Sequence, residues 1–116
     1  MVNDRRLRVG LVVEPPGIED PYNHGAYLGL ERAVQELGIR GRVLTPAPKE
    51  GYVPSLSLLA RQKYDLVIGF GFQAGISFAA AAIDGVAIGF PETRFAIIDF
   101  AHDDLVHRPT NVLGLV

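Results

Sequence analysis

Apolar residues along this chain follow two periods in turn, one typical of strands and one typical of helices. The stretch from Leu7 to Val13 is apolar apart from Arg8 and Gly10, which predicts a strand buried on both faces. Four more strands are predicted, at Arg42 to Leu44, Tyr64 to Phe70, Arg94 to Phe100 and Val112 to Val116.

Between the strands, the apolar positions recur with the period of a helix. From Tyr22 to Leu37 one face is apolar and the other is charged. Asp20 suits the N-cap, Pro21 the first helical position and Gly38 the C-terminal stop. Two further helices are predicted, one around 53–60 and one rich in small residues from Phe72 to Ile83.

This alternation with short connections predicts an α/β fold with a doubly wound parallel sheet, because crossovers are right-handed and helices must cover both faces. The expected strand order is 2-1-3-4-5. A chain of 116 residues, 48% of them hydrophobic, suits one domain. The stretch from Asp84 to Pro91 is left without a predicted element.

In such sheets, ligands bind at the carboxyl ends of the strands, next to the point where the strand order reverses. Three loops should meet there, at 14–23, 69–73 and 99–104, and they contain carboxylates, the amide of Asn23 and several aromatic rings. Tyr22 or Phe72 could stack on a ring while Asn23 and Asp99 hydrogen-bond its edge. The mixture predicts a site for a ring-bearing, hydroxyl-rich small molecule, with Glu14 and Asp20 as further candidates.

Two of these candidates have structural alternatives. An Asp directly before Pro and a helix is more often an N-cap, although Asp20 could fill both roles. Tyr22 could equally pack inside the protein.

Charge and composition exclude several functions. The net charge is −2, and the basic residues are scattered apart from Arg5, Arg6 and Arg8 and the pair Arg40 and Arg42. We therefore expect no nucleic-acid partner. The chain has no cysteine, so disulfides, thiolate metal sites and cysteine nucleophiles are impossible.

Neither a cofactor nor a catalytic centre is expected. The glycine-rich segment 69–75 departs from a dinucleotide-binding loop because bulky Phe72 and Gln73 follow its second glycine. The serines lie in predicted helices rather than in a strained turn. One cluster of residues resembles a set of metal ligands, and it consists of His102, Asp103, Asp104 and His107. A hydrated surface loop also explains the same residues.

Four segments, at 9–23, 52–60, 64–72 and 90–99, together resemble the basic membrane protein family (BMP, PnrA-like) in order and spacing. The family consists of solute-binding proteins of ABC importers with the type I periplasmic-binding-protein fold. Its members are typically exported lipoproteins that bind purine nucleosides or related molecules between two lobes. The resemblance implies that residues 1–116 form one α/β lobe, roughly the first of two.

The resemblance also implies roles for individual residues. Tyr22 and Asn23 stand where the family usually has Phe-Asn, which implies stacking by Tyr22 and a base-edge contact by Asn23. Asp99 closes the matching Phe-Ala-Ile-Ile-Asp strand and would bind the base. Gly71 and Phe72 match a pocket-facing Gly-Phe pair.

The chain departs from the family pattern at several positions. Glu14 replaces an Asp, Glu19-Asp20 replaces Asp-Asp, and the segment 84–89 looks like extra length. The apolar run near the amino terminus is too short for a signal peptide, and no lipobox cysteine is present. An extracytoplasmic, membrane-anchored location is therefore implied by the family alone.

The leading hypothesis is a non-enzymatic, extracytoplasmic solute-binding component of an ABC importer that binds a nucleoside-like ligand and serves a permease through the full-length protein. The alternatives are a ligand-sensing regulatory module of the same fold and, less favoured, a small α/β enzyme. Because one lobe offers half a cleft, we expect the isolated chain to bind weakly or not at all unless two copies pair through an exposed surface of Tyr22, Phe72 and Phe100.

Overall fold

Five parallel strands and three α-helices alternate along residues 6–116, the part of the chain that the structure, a computed structural model, describes. Arg5, which the sequence grouped with other basic residues, lies outside the described residues. The strands are β1 (Arg8–Val13), β2 (Arg40–Leu44), β3 (Leu66–Phe70), β4 (Arg94–Ile98) and β5 (Val112–Leu115). The helices are α1 (Pro21–Leu37), α2 (Val53–Arg61) and α3 (Ala74–Gly89), with a short 3-10 helix at His102–Asp104.

The sheet has the order β2-β1-β3-β4-β5, and every neighbouring pair of strands is parallel. The predicted fold and strand order are confirmed. Strand ends differ by one or two residues: β2 begins at Arg40 rather than Arg42, and β3 begins at Leu66 rather than Tyr64. Strand β4 ends before Asp99, whose backbone has left the extended region with a φ of 62°.

Helix α1 has the predicted caps. The Asp20 side chain accepts hydrogen bonds from the backbone N–H groups of Tyr22 and Asn23, at 2.9 and 3.2 Å. At the other end, Gly38 is left-handed with a φ of 68°, and its N–H donates to the Val34 carbonyl. Asp20 is therefore an N-cap, and any ligand contact of its carboxylate stays a prediction.

Helix α3 is longer than the sequence predicted and begins two residues later. It extends to Gly89, so that most of the stretch from Asp84 to Pro91 is helical rather than unassigned. The reason is burial: Ile83, Val86 and Ala87 pack into the core, and this outweighs the helix-weakening effect of two glycines. Its start is delayed because Gln73, with a φ of 53°, does not have helical geometry.

The two faces of the sheet are covered unequally. Helices α2 and α3 pack on one face and enclose the larger core, which includes Leu56, Leu59 and Phe95. Helix α1 packs on the other face over β1 and β2, against Leu11 and the residues around it. No helix among the described residues is long and apolar enough to cross a membrane.

A buried carboxylate joins α3 to the loop between β4 and β5. Asp84 is 4% exposed and accepts hydrogen bonds from the backbone N–H of His107 and from its ring Nδ1, the latter at 2.8 Å. Burial alone would raise the pKa of Asp84, but the hydrogen bonds and charge of His107 outweigh it and hold the pKa below its usual 3.8. The ionised carboxylate therefore stabilises the fold.

Acid should remove this stabilisation. Folding lowers the pKa of Asp84, so its contribution to the free energy of unfolding is present above the pKa of the unfolded chain, about pH 4. This contribution disappears as the pH falls through the pKa of the folded state. We expect Asp84→Asn to lower the free energy of unfolding at neutral pH by about 1–3 kcal/mol and to flatten its dependence on pH in the acid range. Urea unfolding at a series of pH values measures both effects. Asp103→Asn, at an exposed carboxylate nearby, is the control; identical curves for the two variants would contradict this role.

Candidate functional site

The three loops expected to converge do meet at the carboxyl edge of the sheet. Glu14, which follows β1, accepts a hydrogen bond from the backbone N–H of Phe72 at 2.8 Å. Tyr22, in the first turn of α1, interacts with Asp99 at the end of β4 and lies near Glu14. Four of the predicted site residues, Glu14, Tyr22, Phe72 and Asp99, thus form one cluster, called here the edge cluster.

Aromatic rings form the apolar part of the edge cluster. The Tyr22 ring is stacked on Phe70 with a centroid distance of 4.8 Å and is tilted against Phe72 at 4.7 Å. Phe70 is buried, whereas Tyr22 and Phe72 are 36% and 50% exposed. Tyr22 therefore packs against the protein, as one alternative expected, while part of its side chain stays exposed, and ligand stacking by it stays a prediction. The sequence placed Phe70 among the aromatic residues of the converging loops but not among the ligand contacts, and in the structure it packs against the Tyr22 ring.

The polar part of the edge cluster is negative. Partial burial raises the pKa of the Tyr22 phenol, and the carboxylates of Asp99 and Glu14 raise it further. The phenol therefore stays protonated and can donate a hydrogen bond at neutral pH. An aromatic surface beside two carboxylates suits a ring that carries hydrogen-bond donors.

Glu14 also stabilises the start of α3. Besides accepting from Phe72, its carboxylate lies against Gly75, where an added Cβ would overlap it. Negative charge at a helix N-terminus is favourable because the first N–H groups have no partner within the helix. Glu14 thus links β1 to α3, a role for which Gly75 is needed and which the sequence did not indicate.

Asn23 is placed differently from the expectation. It is 1% exposed, and its Nδ2 donates to the carbonyl oxygens of Glu14 and Gly17 at 2.8 and 3.0 Å. Its Oδ1 is buried without a hydrogen-bond partner. The amide nitrogen is therefore occupied in closing the loop between β1 and α1, and the implied contact with a ligand stays a prediction that requires this loop to move.

Gly71 has a packing role as well. An added Cβ would overlap the backbone of Gly75 and the hydroxyl group of Tyr52, which itself donates to the Phe70 carbonyl at 3.0 Å. Gly71 is buried and lets the turn before α3 pass close to its own helix. Near it, Gln73 and Asp99 have positive φ values of 53° and 62°. Such strained residues gather at binding sites, which supports a function for this edge.

The two histidines after β4 make contacts within the fold, whereas Asp103 and Asp104 are exposed. His102 Nε2 lies 2.8 Å from the Pro109 carbonyl, and His107 bonds Asp84. Within residues 6–116, no group of three or more potential metal ligands was found. Phe100 is half-buried against the larger core, so the pairing surface expected from three aromatic residues contains only Tyr22 and Phe72 in exposed positions.

Comparison with known proteins gives this architecture a family. The sequence model of the Bmp family, the PnrA-like ABC transporter substrate-binding proteins, matches residues 7–116. The chain belongs to this family. Bmp proteins bind substrates for transporters and are not enzymes, in agreement with the expectation from the sequence.

Individual relatives support the assignment to the Bmp family. The chain is 37% identical over 97 residues to an uncharacterized lipoprotein of Pyrococcus horikoshii and 38% identical over 96 residues to one of Pyrococcus furiosus, covering 82% and 81% of this chain. It spans 23% of the length of each. Among solved structures, a solute-binding protein of an ABC transporter system from Aeropyrum pernix superposes with a TM-score of 0.77 at 29% identity, covering 93% of this chain and 28% of that one. The predicted periplasmic-binding-protein type of fold is thereby confirmed.

Two glycines of α3 provide a test of the Glu14 contact. Gly75→Ala should displace the Glu14 carboxylate, whereas the Cβ of Gly85→Ala meets nothing within 4 Å. Gly85→Ala gains the helix propensity of an interior position, about 1 kcal/mol, and serves as the reference for the same change without a clash. We expect Gly75→Ala to be less stable than Gly85→Ala by about 1–2 kcal/mol in chemical unfolding. Equal stability would show that Glu14 does not hold the start of α3.

The loop role of Asn23 predicts that its isosteric replacement is the more damaging one. Asn23→Asp keeps the shape but replaces a donor by a buried carboxylate facing two carbonyl oxygens. Asn23→Ala removes the donor and adds no charge. We expect thermal unfolding to show both variants destabilised, by at least about 1–3 kcal/mol, and Asn23→Asp the more so at neutral pH. The reverse order would contradict this assignment.

Proposed function

We propose that the chain is a ligand-binding lobe, the first of two, of an extracytoplasmic solute-binding protein that serves an ABC importer. Membership of the Bmp family and the structural likeness to transporter solute-binding proteins support this proposal. The lipoproteins among its relatives support a membrane-anchored location for the whole protein. The length of those relatives, about four times that of this chain, leaves room for a second lobe.

The ligand in this proposal is a purine nucleoside or a similar small heterocycle. The composition of the edge cluster is the observation that supports this ligand class. A flat ring would stack on the exposed surfaces of Tyr22 and Phe72. Its donor groups, amino or hydroxyl, would reach the carboxylates of Asp99 and Glu14. Asp20, Asn23 and Gly71 would act through the shape of the two loops rather than by contact.

The same charges set the chemical limits of the ligand. Two carboxylates flank the ring surface, so a neutral or cationic ligand is favoured and a phosphorylated one is repelled. Recognition needs no covalent step. In the full-length protein, closure of the second lobe over the bound ring would exclude water and present a changed surface to the permease.

A single lobe should bind its ligand weakly but at a defined place. On addition of adenosine, guanosine, inosine or a pyrimidine nucleoside, we expect NMR amide shifts confined to the residues around Glu14, Tyr22, Phe72 and Asp99. Tyr22→Ala should abolish them, since the stacking surface is lost, while Tyr22→Phe should weaken them, since the ring remains. Tyr27→Ala, at a half-buried tyrosine of the same helix, serves as the matched control.

Two outcomes would contradict the proposal. One is the absence of localised shifts with every nucleoside in a chain whose spectrum shows it to be folded. The other is equal loss of binding in the Tyr22→Ala and Tyr27→Ala variants, because the effect would then lie in the stability of α1 and not in the edge cluster.

A further inference from the structure

The charges of this protein are segregated between the two edges of the sheet. The net charge of the chain is −2. At the amino edge, where the strands begin and α2 ends, six cationic residues among those described lie together: Arg8, Arg40, Arg42, Arg61, Lys63 and Arg94. All are exposed except Arg8, which is half-buried.

These six residues form a surface called here the basic edge, and direct contacts connect three of them. Arg8 and Arg40 are register partners at the starts of β1 and β2. Gln62 joins two of them, since its carbonyl accepts from Arg8 Nη1 at 2.7 Å and its Oε1 from Arg42 Nη1 at 2.8 Å. The Arg8 guanidinium also lies 4.3 Å from the centre of the Tyr64 ring. The hydrogen bonds of Arg8 and Arg42 to Gln62 order both side chains and leave their positive charges in place.

Within residues 6–116, few carboxylates lie beside these cations. Asp65 and Glu92 lie at the same edge, and Glu36 is paired with Arg32 at 3.0 Å. The opposite, carboxyl edge is acidic, with Glu14, Glu19, Asp20, Asp99, Asp103 and Asp104 against Lys49 and Arg108. The protein is thus an electric dipole that a negatively charged surface would orient with the basic edge towards it.

We propose that the basic edge is a contact surface for the anionic headgroups of a lipid bilayer. This inference rests on the membrane-anchored location proposed above. One acyl chain holds a protein to a membrane only marginally, and a basic patch supplies the second attachment. Strand β1 begins at this edge with Arg8, so an anchor attached ahead of β1 would draw the basic edge to the bilayer.

A bilayer fits this surface better than nucleic acid does. The cations are spread along the edge of the sheet, and only Arg61 of the six belongs to a helix, as the last residue of α2. Reading a duplex requires a helix or ribbon that enters a groove, whereas a flat array of headgroup charges needs no such shape.

Vesicle sedimentation tests the proposal with the full 116-residue chain. We expect binding to an equal mixture of phosphatidylcholine and phosphatidylglycerol at low ionic strength, no binding to pure phosphatidylcholine, and release by salt. Each cation near an anionic surface contributes about fivefold in partitioning, so Lys63→Glu and Arg61→Glu should each lower binding by at least that factor. Lys49→Glu changes the net charge equally at the acidic edge and should not lower it.

Three results would overturn the proposal. These are no binding to the mixed vesicles at low ionic strength, an equal loss in Lys63→Glu and Lys49→Glu, and tighter binding to duplex DNA than to the vesicles. Nucleoside binding at the edge cluster, measured by NMR shifts in the same preparation, does not depend on the basic edge. A chain that gives the nucleoside shifts but does not bind vesicles would therefore contradict the membrane proposal and leave the proposed ligand standing.

Discussion

Strand β1 lies between β2 and β3. The chain therefore runs from β1 to β2 on one side of it, and then passes back over β1 to place β3 on the other side. Because each crossover between parallel strands is right-handed, this reversal sends α1 to one face and α2 and α3 to the opposite face. The loops that follow β1 and β3 then diverge, and a crevice opens between them. The position of the candidate site is a consequence of this single topological constraint.

Within the crevice, the same residues serve the fold and the site. Glu14 holds the turn before α3 through the Phe72 N–H and contributes negative charge to the edge cluster, and Tyr22 packs on Phe70 while part of its side chain stays exposed. A ligand that drew the Glu14 carboxylate away would break its hydrogen bond with Phe72.

The amino acids at the two edges of the sheet have opposite charge, although the net charge of the chain is close to zero. Scattered along the sequence, the arginines and lysines suggested no partner. Parallel strands collect their first residues at one edge and their last residues at the other, and this brings Arg8, Arg40 and Arg94 to the same side. The charge pattern therefore becomes visible only in the folded sheet.

Local patterns in the sequence were sufficient for the elements, the strand order and the loops that converge, because periodicity, caps and crossover handedness are short-range or general constraints. They did not reveal that α3 continues past Asp84, because glycines at 85 and 89 weaken a helix unless the core offers it burial. Nor did they distinguish Asn23, turned inward to close a loop, from Phe72, turned outward. Which side of a residue faces a ligand depends on the packing of segments distant in the chain, and only the tertiary structure decided it.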